Sequence, residues 1–132
     1  MHALVVDDSR AMRRIVTGIL HPLGFETVEA DNGSTALAEL ERMTAEGTVP
    51  VLACIDWNMP VMDGLELVSA IRAERGWRDV TLMMVTTESE HGQIVRALAA
   101  GAHEYLTKPF ESQDLWQKLE FLGLVGAPVV EV

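Results

Sequence analysis

At 132 residues the chain has the length of one domain, and its 48% hydrophobic content is enough to fill a core, which excludes an intrinsically disordered chain. A formal net charge of −10 excludes nucleic acid as a partner, because a phosphate backbone is bound by clustered Lys and Arg. The single cysteine, Cys54, excludes an internal disulfide and sits in an apolar run, where it reads as buried and reduced.

The chain opens at Met1 without the basic start and long apolar stretch of a signal peptide. No later segment approaches a bilayer-spanning length, so a cytoplasmic protein without a membrane partner is expected. Ala3-Leu4-Val5-Val6 reads as a buried strand ending at Asp7-Asp8. From Arg10 to Leu20, Met12, Val16 and Leu20 recur at helical spacing, and His21-Pro22-Leu23-Gly24 stops the helix. Glu26 to Ala30 is a second strand, and Asp31-Asn32-Gly33-Ser34 opens a helix lined by Leu37 and Leu40. Val51 to Ile55 is short and wholly apolar, as in a central parallel strand, and runs into Asp56. A helix from Gly64 to Arg75 presents Leu65, Val68 and Ile71 inward. Val80 to Val85 is a fourth strand ending at Thr86, and Ile94, Val95 and Leu98 mark a helix closed by Gly101. His103 to Leu106 is a fifth strand ending before Lys108-Pro109, followed by a helix over Ser112–Leu122 with Leu115, Leu119 and Leu122 on its inner face. Five βα units predict an α/β fold with a parallel sheet and helices on both faces. The domain is expected over 1–123, with a short tail over 124–132 in which Pro128 and Val129-Val130 show no helical period. The four histidines, His2, His21, His91 and His103, lack zinc-ligand spacing.

In open α/β sheets, ligands bind beyond the carboxyl ends of the strands. Those ends carry Asp7 and Asp8, Asp56, Thr86 and Lys108, so four of the five strands deliver a charged or reactive side chain to one edge. Alone, Asp7-Asp8 reads first as a helix cap, and Thr86 as a β-branched strand residue. Three carboxylates brought together repel unless a hard cation neutralises them, and Mg2+ takes one or two carboxylates plus phosphate oxygens. Asp56 at the end of a central strand has the chemistry of a covalent nucleophile towards phosphorus. Lys108 supplies a point charge for phosphoryl oxygens, and Thr86 a hydroxyl. Pro109 permits a cis bond after Lys108.

Leu4-Val5-Val6-Asp7-Asp8-Ser9, Asp56-Trp57-Asn58-Met59-Pro60 with Met62-Asp63-Gly64, Met84-Val85-Thr86-Thr87-Glu88 and Tyr105-Leu106-Thr107-Lys108-Pro109-Phe110 together resemble response-regulator receiver domains, those of chemotaxis above all. The resemblance covers about residues 3 to 123. It implies a flavodoxin-like (βα)5 fold with strand order 2-1-3-4-5. It implies Asp56 as phosphoacceptor, with Asp8, Asp56 and the Asn58 main-chain carbonyl as Mg2+ ligands and Asp7 holding a metal-bound water. Lys108 and Thr86 would bind the phosphoryl group, and Thr86 and Tyr105 would form the switch. Asn58 and Glu88 would tune how fast water removes the phosphoryl group. Thr87 stands where many receivers have a smaller residue, and Glu90 and His91 open the fourth helix where motor-binding relatives carry lysines.

The implied function is that of a stand-alone, monomeric receiver that is not an enzyme. Its partners would be a sensor histidine kinase or histidine phosphotransfer protein and an output protein, flagellar motor or other. The competing readings are a Mg2+-dependent phosphohydrolase with Asp56 as nucleophile and a docking receiver that works without phosphorylation. A flavodoxin-like nucleotide binder lacks its Gly-rich loop after the first strand.

Overall fold

The computed structural model describes residues 1–126, so Pro128 and Val129-Val130 lie outside the described residues. Strands β1 (His2–Val6), β2 (Glu26–Ala30), β3 (Leu52–Ile55), β4 (Thr81–Thr86) and β5 (Glu104–Thr107) alternate with helices α1 (Arg10–Leu20), α2 (Gly33–Ala45), α3 (Gly64–Ala73), α4 (His91–Ala100) and α5 (Ser112–Phe121). All pairings are parallel, in the order β2-β1-β3-β4-β5.

The inner strands β1, β3 and β4 are largely apolar because both faces are covered, and their two-residue alternation divides the core. Leu4, Val6, Ala53, Ile55, Leu82 and Met84 face a cluster shared with Leu40, Leu67, Ile71 and Ala97 of α2, α3 and α4. Ala3, Val5, Leu52, Cys54, Met83 and Val85 face the opposite cluster, with Val16, Leu20, Leu115 and Leu119 of α1 and α5. Burial pushes the Cys54 thiol up to about 12. Leu124 and Val125 pack against the α1–α5 core, beyond the expected end of the domain at residue 123.

Two helices differ from the sequence reading. α3 ends at Ala73, and Arg75–Trp77 forms a 3-10 turn that drops Trp77 into the core, where its indole N–H donates to Thr44 Oγ1 at 2.8 Å. In α4 the buried residue is Ala97, while Val95 and Leu98 are exposed. Ala97 fills the core position, Ile94 packs partly against the same cluster, and Val95 and Leu98 point outward.

At the sheet end that carries the strand N-termini, the Arg72 guanidinium donates to the carbonyls of Gly101 (3.0 Å), Arg78 (3.2 Å) and Val80 (2.7 Å). It also lies 3.2 Å from His103 Nδ1, which accepts the Leu82 N–H at 3.1 Å. Gly101 has φ +125°, and a Cβ there would collide with the Arg72 side chain. This end of the molecule is held by structural polar contacts; the opposite edge gathers the acids.

Candidate functional site

The register sets the site. Val6 pairs with Ile55, so Asp7 and Asp56 leave adjacent strands side by side, with the Asp56 N–H donating to Val6 O at 2.9 Å. Thr86 pairs with Thr107, and the Lys108 N–H donates to Thr86 O at 2.8 Å, which brings the lysine to the same edge. The Lys108–Pro109 peptide bond is cis.

One oxygen from each of Asp7, Asp8 and Asp56 lies within 4.8 Å of the others. Asp7 and Asp56 are buried and Asp8 is exposed. The capping role for the aspartate pair is not realised in side-chain bonds to α1. Ser9 caps that helix, accepting the Met12 N–H at 3.2 Å, and Asp7 Oδ1 instead accepts the Ser9 N–H at 2.9 Å. Asp7 Oδ2 accepts from Lys108 Nζ at 2.7 Å, whereas Asp56 Oδ2 is 3.6 Å from the same ammonium. Among the described residues Lys108 is the cation in salt-bridge range of these acids, so three carboxylates face one positive charge. Burial raises the Asp56 carboxyl above the usual carboxylate range and the Asp7 charge raises it further, while the Thr86 hydroxyl and Lys108 pull the other way.

This donor set suits a hard divalent cation. All its atoms are oxygens, its net charge is negative, and one acid is open to solvent. Asp8 and Asp56 contribute carboxylates to it, and Asn58 lies exposed in the loop that follows β3.

That loop is closed by backbone geometry. The Gly64 N–H donates to Trp57 O at 2.8 Å, and a Cβ at Gly64 would meet the Asp56 carbonyl and lie 2.9 Å from Trp57 Cα. Only glycine allows α3 to start so near Asp56. Val61 has φ +69°, and the Met62 N–H bonds back to Pro60 O at 2.8 Å, which is a γ-turn. Asp63 then caps α3 in a capping box with Glu66, so this nearby acid is engaged in helix initiation.

Thr86 is fully buried at the end of β4, and its Oγ1 accepts the Glu88 N–H at 3.3 Å. Tyr105 is 8% exposed and its hydroxyl donates to Glu88 O at 2.6 Å. The Glu88 side chain accepts from Asn58 Nδ2 at 2.8 Å, so these two residues bridge the mouth of the site directly. Sequence reasoning placed both residues at the site and did not foresee the bond between them. It also missed Arg13, whose guanidinium donates to Asp7 O (2.8 Å) and Glu29 (3.0 Å), and Arg96, whose guanidinium stands 5.9 Å above the ring of buried Trp57. The helical positions of Arg13 and Arg96 were readable, but their partners lie on other elements.

Residues 3–120 match the family model described as "Response regulator receiver domain". Over 121 residues the chain is 44% identical to the chemotaxis protein CheY1 of Helicobacter pylori, covering 91% of this chain and 94% of that one. A CheY homolog of Campylobacter jejuni is 46% identical over the same length, covering 91% and 90% respectively. Among solved structures, the chemotaxis response regulator CheY4 of Vibrio cholerae superposes with a TM-score of 0.81 at 33% identity, covering 92% of this chain and 97% of that one. The fold is also that of the CheX-CheY-BeF3-Mg complex of Borrelia burgdorferi, with a TM-score of 0.84 at 22% identity, covering 93% of this chain and 89% of that one.

Proposed function

The chain belongs to the response regulator receiver domain family, and on that premise we propose that Asp56 accepts a phosphoryl group from a histidine-phosphorylated protein, a sensor kinase or a phosphotransfer protein. The observation that carries this reading is the meeting of Asp7, Asp8 and Asp56 with Lys108 at one strand edge.

In the proposed step an Asp56 carboxylate oxygen bonds to phosphorus while the bond from phosphorus to the donor's imidazole nitrogen breaks. The imidazole keeps the electron pair and is protonated by water. Ionised Asp56 needs no general base, and Lys108 and the Thr86 hydroxyl, both facing its carboxyl, are in place to bind phosphoryl oxygens. Asp8, Asp56 and the Asn58 carbonyl would hold Mg2+, with Asp7 acting through water. When bound, the ion offsets the charge shared by the carboxylates and the phosphoryl oxygens. Asn58 and Glu88, joined across the mouth, would govern the approach of water to the acyl phosphate.

Switching follows from Thr86 and Tyr105. Tyr105 is buried, and its hydroxyl is bonded to Glu88 O, two residues beyond Thr86. Phosphorylation then acts by shifting population towards a Thr86 drawn to the phosphoryl group and a Tyr105 held inward. The output is a contact with another protein, made by the α4, β5 and α5 side of the domain. Chemotaxis is the pathway favoured by the likeness to the CheY relatives. The test is labelling by acetyl phosphate in the presence of Mg2+. Wild type takes up one phosphoryl group and Asp56→Asn none; label retained by Asp56→Asn would move the acceptor elsewhere.

A further inference from the structure

Of the five strands, β2 ends in Ala30 and adds no side chain to the acidic cluster, but it runs beside β1, with Val5 paired to Glu29. Glu29 reaches the site through an intermediary. The Arg13 guanidinium, from α1, donates to Glu29 Oε1 at 3.0 Å and to the main-chain carbonyl of Asp7 at 2.8 Å. The Arg13 side chain is only 16% exposed, so both bonds form largely out of water. Asp31 and Glu39 line the same groove as Glu29, and these carboxylates, outside the Mg2+ donor set, offset the arginine charge.

Asp7 is restrained at each of its polar atoms. Its N–H donates to Ala30 O at 3.1 Å, its carboxylate accepts from the Ser9 N–H and Lys108 Nζ, and its carbonyl accepts from Arg13. Asp8 is the exposed acid of the cluster and depends on the backbone for its direction. The Asp7 carbonyl and the Asp8 N–H belong to one planar peptide unit, so a bond that fixes Asp7 O also fixes the plane from which the Asp8 side chain departs. A tie between α1 and β2 requires only the Arg13–Glu29 pair; the charge-assisted bond to Asp7 O adds a restraint on the metal-site backbone. We propose that Arg13, braced by Glu29, is a positioning residue for Mg2+ binding, holding the Asp7–Asp8 peptide so that the Asp8 carboxylate meets the ion. This rests on the receiver reading given above.

The experiment is calorimetric titration of Mg2+ into chelator-treated full-length wild type, Arg13→Gln and Glu29→Ala, each well below its own melting temperature. Charge and positioning predict opposite signs for Arg13→Gln. Removing a cation near the site would tighten Mg2+ binding by Coulomb attraction alone, whereas loss of the brace weakens it by about tenfold. Glu29→Ala, at a half-exposed surface position, weakens binding by about threefold, because Arg13 keeps its bond to Asp7 O but loses its anchor. Acetyl phosphate labelling of Arg13→Gln is slow at limiting Mg2+ and returns to within about twofold of wild type at saturating Mg2+, since the lost function is binding of the ion. An Arg13→Gln dissociation constant equal to or tighter than that of wild type overturns the proposal, as does labelling that stays slow at saturating Mg2+. Wild type that neither binds Mg2+ nor takes label from acetyl phosphate overturns the receiver reading itself, and this proposal with it.

Discussion

The Tyr105 hydroxyl is bonded to the main-chain carbonyl of Glu88 at 2.6 Å, and the amide of the same residue donates to Thr86 Oγ1. The link between the end of β4 and the ring on β5 thus runs through the Glu88 backbone, which leaves its carboxylate free to hold Asn58. One residue thereby joins Thr86 to Tyr105 through its main chain and reaches the site mouth through its side chain.

That division is separable by mutation. Tyr105→Phe removes the bond to Glu88 O and lowers stability by about 1 kcal/mol in urea unfolding, while Glu88→Ala keeps that bond and loses the one to Asn58. The half-life of the acetyl phosphate-derived label should change in Glu88→Ala. Equal half-lives in Glu88→Ala and wild type would remove the carboxylate from control of water at the site.

Mg2+ is expected to raise the melting temperature of wild type, because an ion that binds the folded cluster stabilises the folded state by about 2.7 kcal/mol at a hundred times its Kd. Asp8→Asn should reduce the shift. A thermal melt indifferent to Mg2+ in wild type would argue that the three acids do not act as a metal site.

His103 gives a pH dependence far from the acids. Burial and the nearby Arg72 charge lower its pKa from 6.5. Although the residue is exposed overall, its Nδ1 edge faces inward and accepts the Leu82 N–H, so protonation removes an acceptor beside an arginine. With the folded pKa below the unfolded value, the contribution is complete above about pH 6.5 and is lost as pH falls through the lower folded pKa. Thermal melts from pH 7 to pH 5 should show a steeper loss in wild type than in His103→Asn, whose side-chain carbonyl keeps an acceptor there. Parallel slopes would show that this histidine does not contribute to the pH dependence.

Gly64→Ala should be strongly destabilising, by about 2 kcal/mol or more, because its Cβ meets backbone at Asp56 and Trp57, which cannot move aside as a flexible side chain would. Urea midpoints for Gly64→Ala and Gly76→Ala make the comparison, since a Cβ at Gly76 has nothing within 4 Å. Similar midpoints would mean that the start of α3 can shift away from β3.

The order of elements and the converging acids were legible because short apolar runs ending in Asp, Thr or before Lys mark where parallel strands emerge. Asp7, Asp56, Thr86 and Lys108 needed only that rule to be placed on one edge. The outward face of α4 was not legible. Val95 and Leu98 recur at helical spacing, but periodicity does not say which stripe meets the sheet, and Ala97 takes that role. The Asn58–Glu88 bond joins residues thirty positions apart, and the contacts of Arg13 and Arg72 with main-chain carbonyls depend on where other segments pass. The γ-turn at Val61 was hidden because neither glycine nor asparagine stands there to announce it.

The sealed position of Cys54 has a practical consequence. With its thiol held almost entirely protonated at neutral pH and screened by both neighbouring strands, it should resist alkylating reagents and peroxide while the fold is intact. A cysteine introduced on α4 or α5 would then be the sole accessible thiol for a maleimide dye, so motion of that side of the domain can be followed by fluorescence in the otherwise native chain.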